Sequence, residues 1–483
     1  MSHADALTAA PRPAKGGGLL CKVAGYSAMR ASTEGLIGLR GILLATLLGP
    51  AAFGSWALLR LATKYAAIAG LAVSRGLELE LLHISPEADG ARSRASGAAL
   101  GFMLAVSGAL ASLALLGAAL VEAPTDRLVL QGFAAAVVAE AVYGYALVST
   151  RVRTTLRRYA LLEAGTAALH LVLGVSLARM FGLAGAFAAL ALSASVGAAV
   201  AGRWVEMRPR FDAPAVRAML GVGLPVALTG VLGILLQTAD RWVIAAWGGQ
   251  ELLGYYAFGG ALASAGVALA LAVRTVVFPE VYGETRLAGA AAALRRHLER
   301  SLIPFATLVP PVLGVMGACV GPAVGLIAPQ YAPAIPTARL FLLSGAALGL
   351  VNLSAVGAVA AGRQALLPLY AAGALAVGLG LAAIGLALGL GLEGTAAASL
   401  VGHTLFAAAV LRLNAKLSDV LEPERLVARA LRPLLWCVVA VTVAGHAAAA
   451  LREDGAAVGI YLLLILPLLP RCLGEWRRVR GER

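Results

Sequence analysis

Apolar runs, each about as long as a membrane is thick, recur along this chain with short polar breaks between them. A helix needs about 20 apolar residues to cross the hydrocarbon core. By that measure spans fall at 24–48, 55–73, 95–121, 128–149, 160–181, 186–205 and 219–247, then at 254–278, 302–327, 338–361, 365–390, 395–413, 434–451 and 456–469. Runs such as 366–390, dense in Ala, Leu and Gly, lack the alternating polarity of a membrane-barrel strand. The pattern predicts an all-α polytopic membrane protein of about fourteen transmembrane helices.

Composition agrees and removes the alternatives. Of 483 residues 60% are hydrophobic and 13% charged, against roughly 25% charged in an average soluble protein. Fourteen spans of about 20 residues use roughly 280 positions, which leaves room for connections and tails but not for a soluble domain. Cys21, Cys319, Cys437 and Cys472 are scattered, so neither a disulfide frame nor a zinc motif is suggested. No phosphate-binding G-x-x-x-x-G-K-[ST] loop occurs, and no cofactor or metal is expected.

The net charge of +14 would suit nucleic acid, but its placement points elsewhere. Basic residues occupy every second connection: Arg92 and Arg94, then 151–158, 203–217, 286–300, 412–432 and 471–483, with Arg127 and Arg452 the main exceptions. By the positive-inside rule both termini are cytoplasmic and the span number is even; no nucleic-acid partner is expected. Residues 1–18 are polar and lack a signal-peptide core, and read as a disordered cytoplasmic tail. The organisation expected is a lobe of six spans over 19–210, a second over 211–415, spans thirteen and fourteen with their preceding cytoplasmic segment over 416–473, and a basic cytoplasmic tail over 474–483. The opposite connections, 122–126, 182–185, 391–394 and 452–455, are too short for a catalytic domain, so no enzyme is expected.

An internal repeat supports the two lobes. Gly49, Gly54 and Ala57 fall on Gly249, Gly254 and Ala257 without a gap, and Gly182-Leu183-Ala184-Gly185 is echoed by Gly391-Leu392-Glu393-Gly394. Repeats an even number of spans apart share one orientation, so the lobes should be related by a pseudo-two-fold axis along the membrane normal, an arrangement suited to alternating access.

The segment 47–59, with Gly49-Pro50 and Gly54-Ser55-Trp56 at its centre, resembles the first outer turn of polysaccharide flippases of the multidrug/oligosaccharidyl-lipid/polysaccharide (MOP) exporter superfamily. Asp240-Arg241-Trp242-Val243-Ile244 leading to Gly254-Tyr255-Tyr256-Ala257 is similar to the seventh-span signature of that family. Leu326-Ile327-Ala328-Pro329-Gln330-Tyr331 and Ala361-Gly362-Arg363 extend the likeness, which covers about 25–413. The resemblance implies export of a lipid-linked saccharide across the bacterial inner membrane, with membrane lipids and glycan-assembly proteins such as a polymerase as partners. The fourteen-span count also resembles the lipid II flippases, in which the last two helices form a groove for the lipid tail.

Ionisable groups at membrane depth are costly and mark candidate sites. Arg40 lies about eight residues, roughly 12 Å, inside span one. Arg60 and Lys64, spaced i,i+4, share a face of span two, and Arg241 lies at similar depth in span seven. A guanidinium binds phosphate oxygens with a planar fork and an ammonium as a point charge, so Arg40, Arg60, Lys64 and Arg241 are the expected pyrophosphate site. The bland alternatives are snorkelling, a Glu34 partner for Lys64, and an Asp240 partner for Arg241. Arg30 and Arg274, with Arg75, sit near inner helix ends, as first contacts for the headgroup or as snorkelling residues. Glu140, with Tyr143 and Tyr145 close in sequence, is a sugar-hydroxyl or proton site, or a structural hydrogen-bonding residue. Glu140 and Asp240 are the candidates for ion coupling. His170 and His403 lack metal spacing and read as interhelical hydrogen-bonding residues.

The function expected is a flippase moving a polyprenyl-pyrophosphate-linked oligosaccharide from the cytoplasmic to the periplasmic leaflet. The rivals are a cation-coupled multidrug antiporter of the same fold and a membrane-embedded component of a glycan-assembly enzyme.

Overall fold

A computed structural model describes residues 16–84, 88–288, 290–453 and 455–480. The first helix, α1 (Gly16–His83), has 68 residues and would run about 100 Å if straight, some three times the hydrocarbon thickness. It reverses at Gly49, where φ is 74°. A glycine tolerates that left-handed value, and Pro50 opens the returning helix at a position where a missing N–H costs nothing. The reversal brings the Arg40 guanidinium to 5.5 Å from the Trp56 ring centre. After α2 (Asp89–Leu120) and α3 (Pro124–Arg153), α4 (Leu156–Ala201) reverses in the same way at Gly182, and α5 (Ala213–Ala288) at Gly249.

A short amphipathic helix, α6 (Ala290–His297), passes through one π turn into α7 (Ile303–Ile327). There follow α8 (Ile335–Ala360), α9 (Leu366–Ala387), α10 (Gly391–Leu417) and α11 (Pro423–Leu451). The last crossing joins α12 (Ala456–Ile465) to α13 (Leu469–Arg480) through a 3-10 turn. Three two-span hairpins and eight single crossings make fourteen spans among the described residues. Large apolar side chains such as Leu116, Leu120, Met180, Leu326 and Val439 are more than 60% exposed, which suits a surface solvated by lipid rather than water.

The repeat seen in the sequence is present in the backbone. Gly49 and Gly249 have φ of 74° and 72°, and Gly182 and Gly391 have φ of 59° and 56°. Helices α1 to α4 pack on one another, and α5 packs with α8, α9 and α10; the broadest contact between these groups is α1 against α5.

The last two spans attach to α7 through its prolines. Pro311 has no N–H for the Thr307 carbonyl four residues back, and Cys472 Sγ supplies a donor to that oxygen at 3.6 Å. Tyr461 donates to the Pro311 carbonyl at 3.1 Å. Arg339 of α8 reaches the Gly317 carbonyl of α7 at 3.4 Å and lies so close to Gly445 of α11 that a Cβ there would strike its guanidinium.

Candidate functional site

Hairpins α1 and α5 lie side by side, and glycine sets how close they come. A Cβ on Gly54 would collide with the Gln250 carbonyl, and one on Gly254 with the Pro50 carbonyl. Toward the other end, Gly76 meets the Met219 carbonyl and Gly223 the Ala72 carbonyl in the same way. Such backbone-to-backbone approach needs small residues, and it shuts the described seam between α1 and α5 toward both ends.

Polar bonds latch each end. At the glycine turns, Ser55 donates to Gln250 Oε1 at 2.5 Å, and Gln250 Nε2 donates to Asp126 Oδ1 at 2.9 Å. Tyr331 donates to the Ala45 carbonyl at 3.0 Å. At the opposite end Arg94 pairs with Asp212, whose other oxygen caps α5 by accepting from the Ala215 N–H at 3.0 Å. Arg94, and after it the Ala215 N–H, hold the Asp212 carboxyl below its ordinary range. A depressed carboxyl pKa contributes stability that is present above the unfolded value and lost only as pH falls through the folded one. Thiol-reagent access to Met219→Cys, taken at each pH relative to a free thiol so that thiolate ionisation cancels, should therefore stay flat between about pH 8 and 5 and rise only in stronger acid. Asp212→Asn should raise it at every pH, and access no higher than wild type in the variant would show that Asp212 is no latch.

Between these ends lie the charged residues singled out from the sequence. Lys64 is exposed and within electrostatic range of Arg60 and Glu34 of its own helix pair and of Arg241 of α5. Arg241 is half-buried, with its Nε unpartnered among the described residues. Arg60 forms an ion pair with Glu140 of α3. Their side chains remain 33% and 26% exposed, so the pair is half-buried. Arg40 is turned into the first six spans, 5% exposed, donating to Nδ1 of His170 at 2.6 Å. Arg40 and Arg60 are thus engaged within the first group, whereas Lys64 and Arg241 meet across the seam.

Several residues stand apart from one another. Glu140, Tyr143 and Tyr145 diverge: Glu140 holds Arg60, Tyr143 packs at Gly197 beside Thr166, and Tyr145 donates to the Glu206 carbonyl at 2.8 Å. Asp240 does not pair with the Arg241 side chain. It accepts from Tyr256 at 2.6 Å and Ser399 at 2.7 Å through Oδ2, and takes only the backbone N–H of Arg241 on Oδ1. His403 bridges Ser344 and the Leu236 carbonyl, and His170 meets Arg40, both interhelical as expected. Arg75 pairs with Glu78. Arg30 and Arg274 lie outside the residues whose side chains are described. The sequence pointed to none of the Arg40–His170, Arg40–Trp56 and Arg60–Glu140 contacts.

A slot of about 290 Å³ opens between α1, α2 and α3. Apolar residues such as Leu71, Met103 and Val137 line it, with Glu140 among them and Arg75, Glu78 and Arg151 toward the helix ends.

A family profile described as "Polysaccharide biosynthesis protein" matches residues 43–336, which takes in both glycine hairpins, Arg60, Lys64, Glu140, Asp240 and Arg241. The chain belongs to the polysaccharide biosynthesis protein family. Within this family member, Arg40 and His403 fall outside the matched region. Among solved structures, one described as the lipid II flippase MurJ in an inward closed conformation superposes with a TM-score of 0.71 at 11% identity, covering 94% of this chain and 98% of that one. Two multidrug resistance MATE family transporters of the MOP superfamily also align. The inward-facing one has a TM-score of 0.57 at 15% identity, covering 83% of this chain and 98% of that one. The outward-facing one has 0.56 at 16%, covering 84% and 96%. The polysaccharide biosynthesis protein thus shares their fold. A search of curated proteins gave no match.

Proposed function

We propose that this protein is a flippase that carries a polyprenyl-pyrophosphate-linked oligosaccharide from the cytoplasmic to the periplasmic leaflet of a bacterial inner membrane. The observation that carries the reading is the electrostatic proximity of Lys64 of α1 to Arg241 of α5 across their seam, with Arg60 beside Lys64. A pyrophosphate placed there would be held by both halves of the molecule, and the seam's two glycine-shut ends would open in turn. Basic residues at the start of α2, the end of α3 and the start of α11 support a cytoplasmic position for those ends and for both termini, with the Gly49 and Gly249 turns toward the periplasm in this reading. The lipid tail stays in the bilayer, and no covalent chemistry is required. The membrane potential helps expel an anion, by about 2.3 kcal/mol per charge at 100 mV.

Asp240 is the coupling carboxylate in this reading, since it lies 6% exposed among hydroxyl donors and makes no ion pair among the described residues. Glu140 instead keeps Arg60 neutralised until substrate arrives. Translocation of a labelled lipid-pyrophosphate oligosaccharide in proteoliposomes tests the proposal. Efflux of cationic dyes driven by protons or sodium, without translocation, would assign the protein to drug transport instead.

A further inference from the structure

Buried hydrogen-bond donors that lack acceptors gather at one place beside the seam. Guanidinium N–H groups only donate, so in the 2.6 Å contact with Arg40 the His170 Nδ1 is the acceptor and the imidazole proton sits on Nε2. That Nε2–H, the Arg40 Nε–H and the Trp56 Nε1–H are all buried and unpartnered among the described residues. The three side chains belong together. The guanidinium lies 5.5 Å from the Trp56 ring centre, and a Cβ on Gly174 would touch both Arg40 and His170 at 3.8 Å. All three are less than 8% exposed. Buried polar groups are nearly always satisfied, and an unmade bond is costly.

The internal repeat says what is missing. Asp240 and Tyr256 stand 200 positions after Arg40 and Trp56, the same offset that relates Gly49 to Gly249 and Gly54 to Gly254. In the second half an acceptor is present: Asp240 Oδ2 takes the Tyr256 and Ser399 hydroxyls. In the first half the corresponding position holds a cation; His170 Nδ1 accepts one of its N–H groups, and the N–H groups left over have no acceptor among the described residues.

We propose that Arg40, His170 and Trp56 form a dry donor pocket for an anionic phosphoryl oxygen, with His170 and Trp56 presenting neutral N–H groups beside the guanidinium. The inference rests on the flippase reading and deepens it. Lys64 and Arg241, in the wet seam, attract the pyrophosphate, and the donor pocket grips it by directed bonds once the seam parts.

Inorganic pyrophosphate is the probe, with thermal stabilisation of the full-length protein in detergent as the readout. Trp56→Phe keeps an aromatic ring and removes the indole N–H together with the five-membered ring that carries it. It should weaken pyrophosphate binding about five- to tenfold, read against the variant's own ligand-free melting temperature, which the cavity left at this buried position lowers. His170→Leu should weaken binding similarly, and His170→Gln, which can accept from Arg40 and still donate, should retain most of it. A merely structural Trp56 would lower the melting temperature of the free protein and leave pyrophosphate affinity unchanged. Wild-type-like binding by Trp56→Phe and His170→Leu, or no binding by wild type, overturns the pocket. If those variants bind normally while Lys64→Ala and Arg241→Ala do not, the pocket falls and the flippase reading stands. Translocation in proteoliposomes judges the flippase reading independently.

Discussion

Gly254→Leu should leave the protein unable to shut at the Gly49 and Gly249 turns and cut translocation by about tenfold or more. The cause is steric. A Cβ at this position lands on the Pro50 carbonyl, and its counterpart at Gly54 lands on the Gln250 carbonyl. Neither obstacle is the flexible end of a side chain, so whole helices must separate, and interiors packed to crystal density do not absorb such a shift locally. The Ser55–Gln250–Asp126 chain would part with them. Oxidative cross-linking of Ser55→Cys with Gln250→Cys measures closure, and it should fail when Gly254→Leu is added. Gly233→Ala, with nothing within 4 Å of its added methyl, should behave as wild type. Efficient cross-linking and normal translocation in Gly254→Leu would show that this end does not need to close.

Lys64→Ala and Arg241→Ala should each lower translocation by about tenfold, and together by more, without lowering thermal stability. A hydrogen bond to a charged group is worth about 1.5–3 kcal/mol, and each of these cations faces the seam rather than a committed partner. Arg60→Ala should behave differently, because it strands Glu140 at membrane depth without its counter-charge. Breaking one side of such a pair is more harmful than removing both. Arg60→Ala should therefore lose stability as well as transport, and Arg60→Ala with Glu140→Ala should recover stability but not transport. Thermal unfolding beside the translocation assay separates the two effects; equal stability of the single and double variants would mean that the pair bears no structural load.

The hairpins were legible because a glycine ahead of a fresh apolar run is a local signal, and Gly49 and Gly249 carried it twice at the same spacing. The cations were legible because a charge within an apolar stretch stands out however the chain folds. Their partners were not. Arg60 and Glu140 lie 80 residues apart and Arg40 and His170 lie 130 apart, and periodicity says nothing about which helix faces which. Asp240 and Arg241 misled by being neighbours: successive side chains on a helix point about 100° apart, so one turns to Tyr256 while the other faces Lys64. Arg339 escaped notice because it lies near the start of an expected span, where a snorkelling residue is ordinary; in the folded chain it runs inward between α7 and α11.

The separation of Arg60 from Glu140 also has a temporal meaning. Chains lengthen by about 5–20 residues per second, so Arg60 is made about 4–16 s before the residue that neutralises it. Lys64 has Glu34 upstream, already synthesised, whereas Arg60 must wait for α3 to be inserted. Until α3, the fourth crossing, has been made, Arg60 stands without the carboxylate that pairs with it in the finished fold.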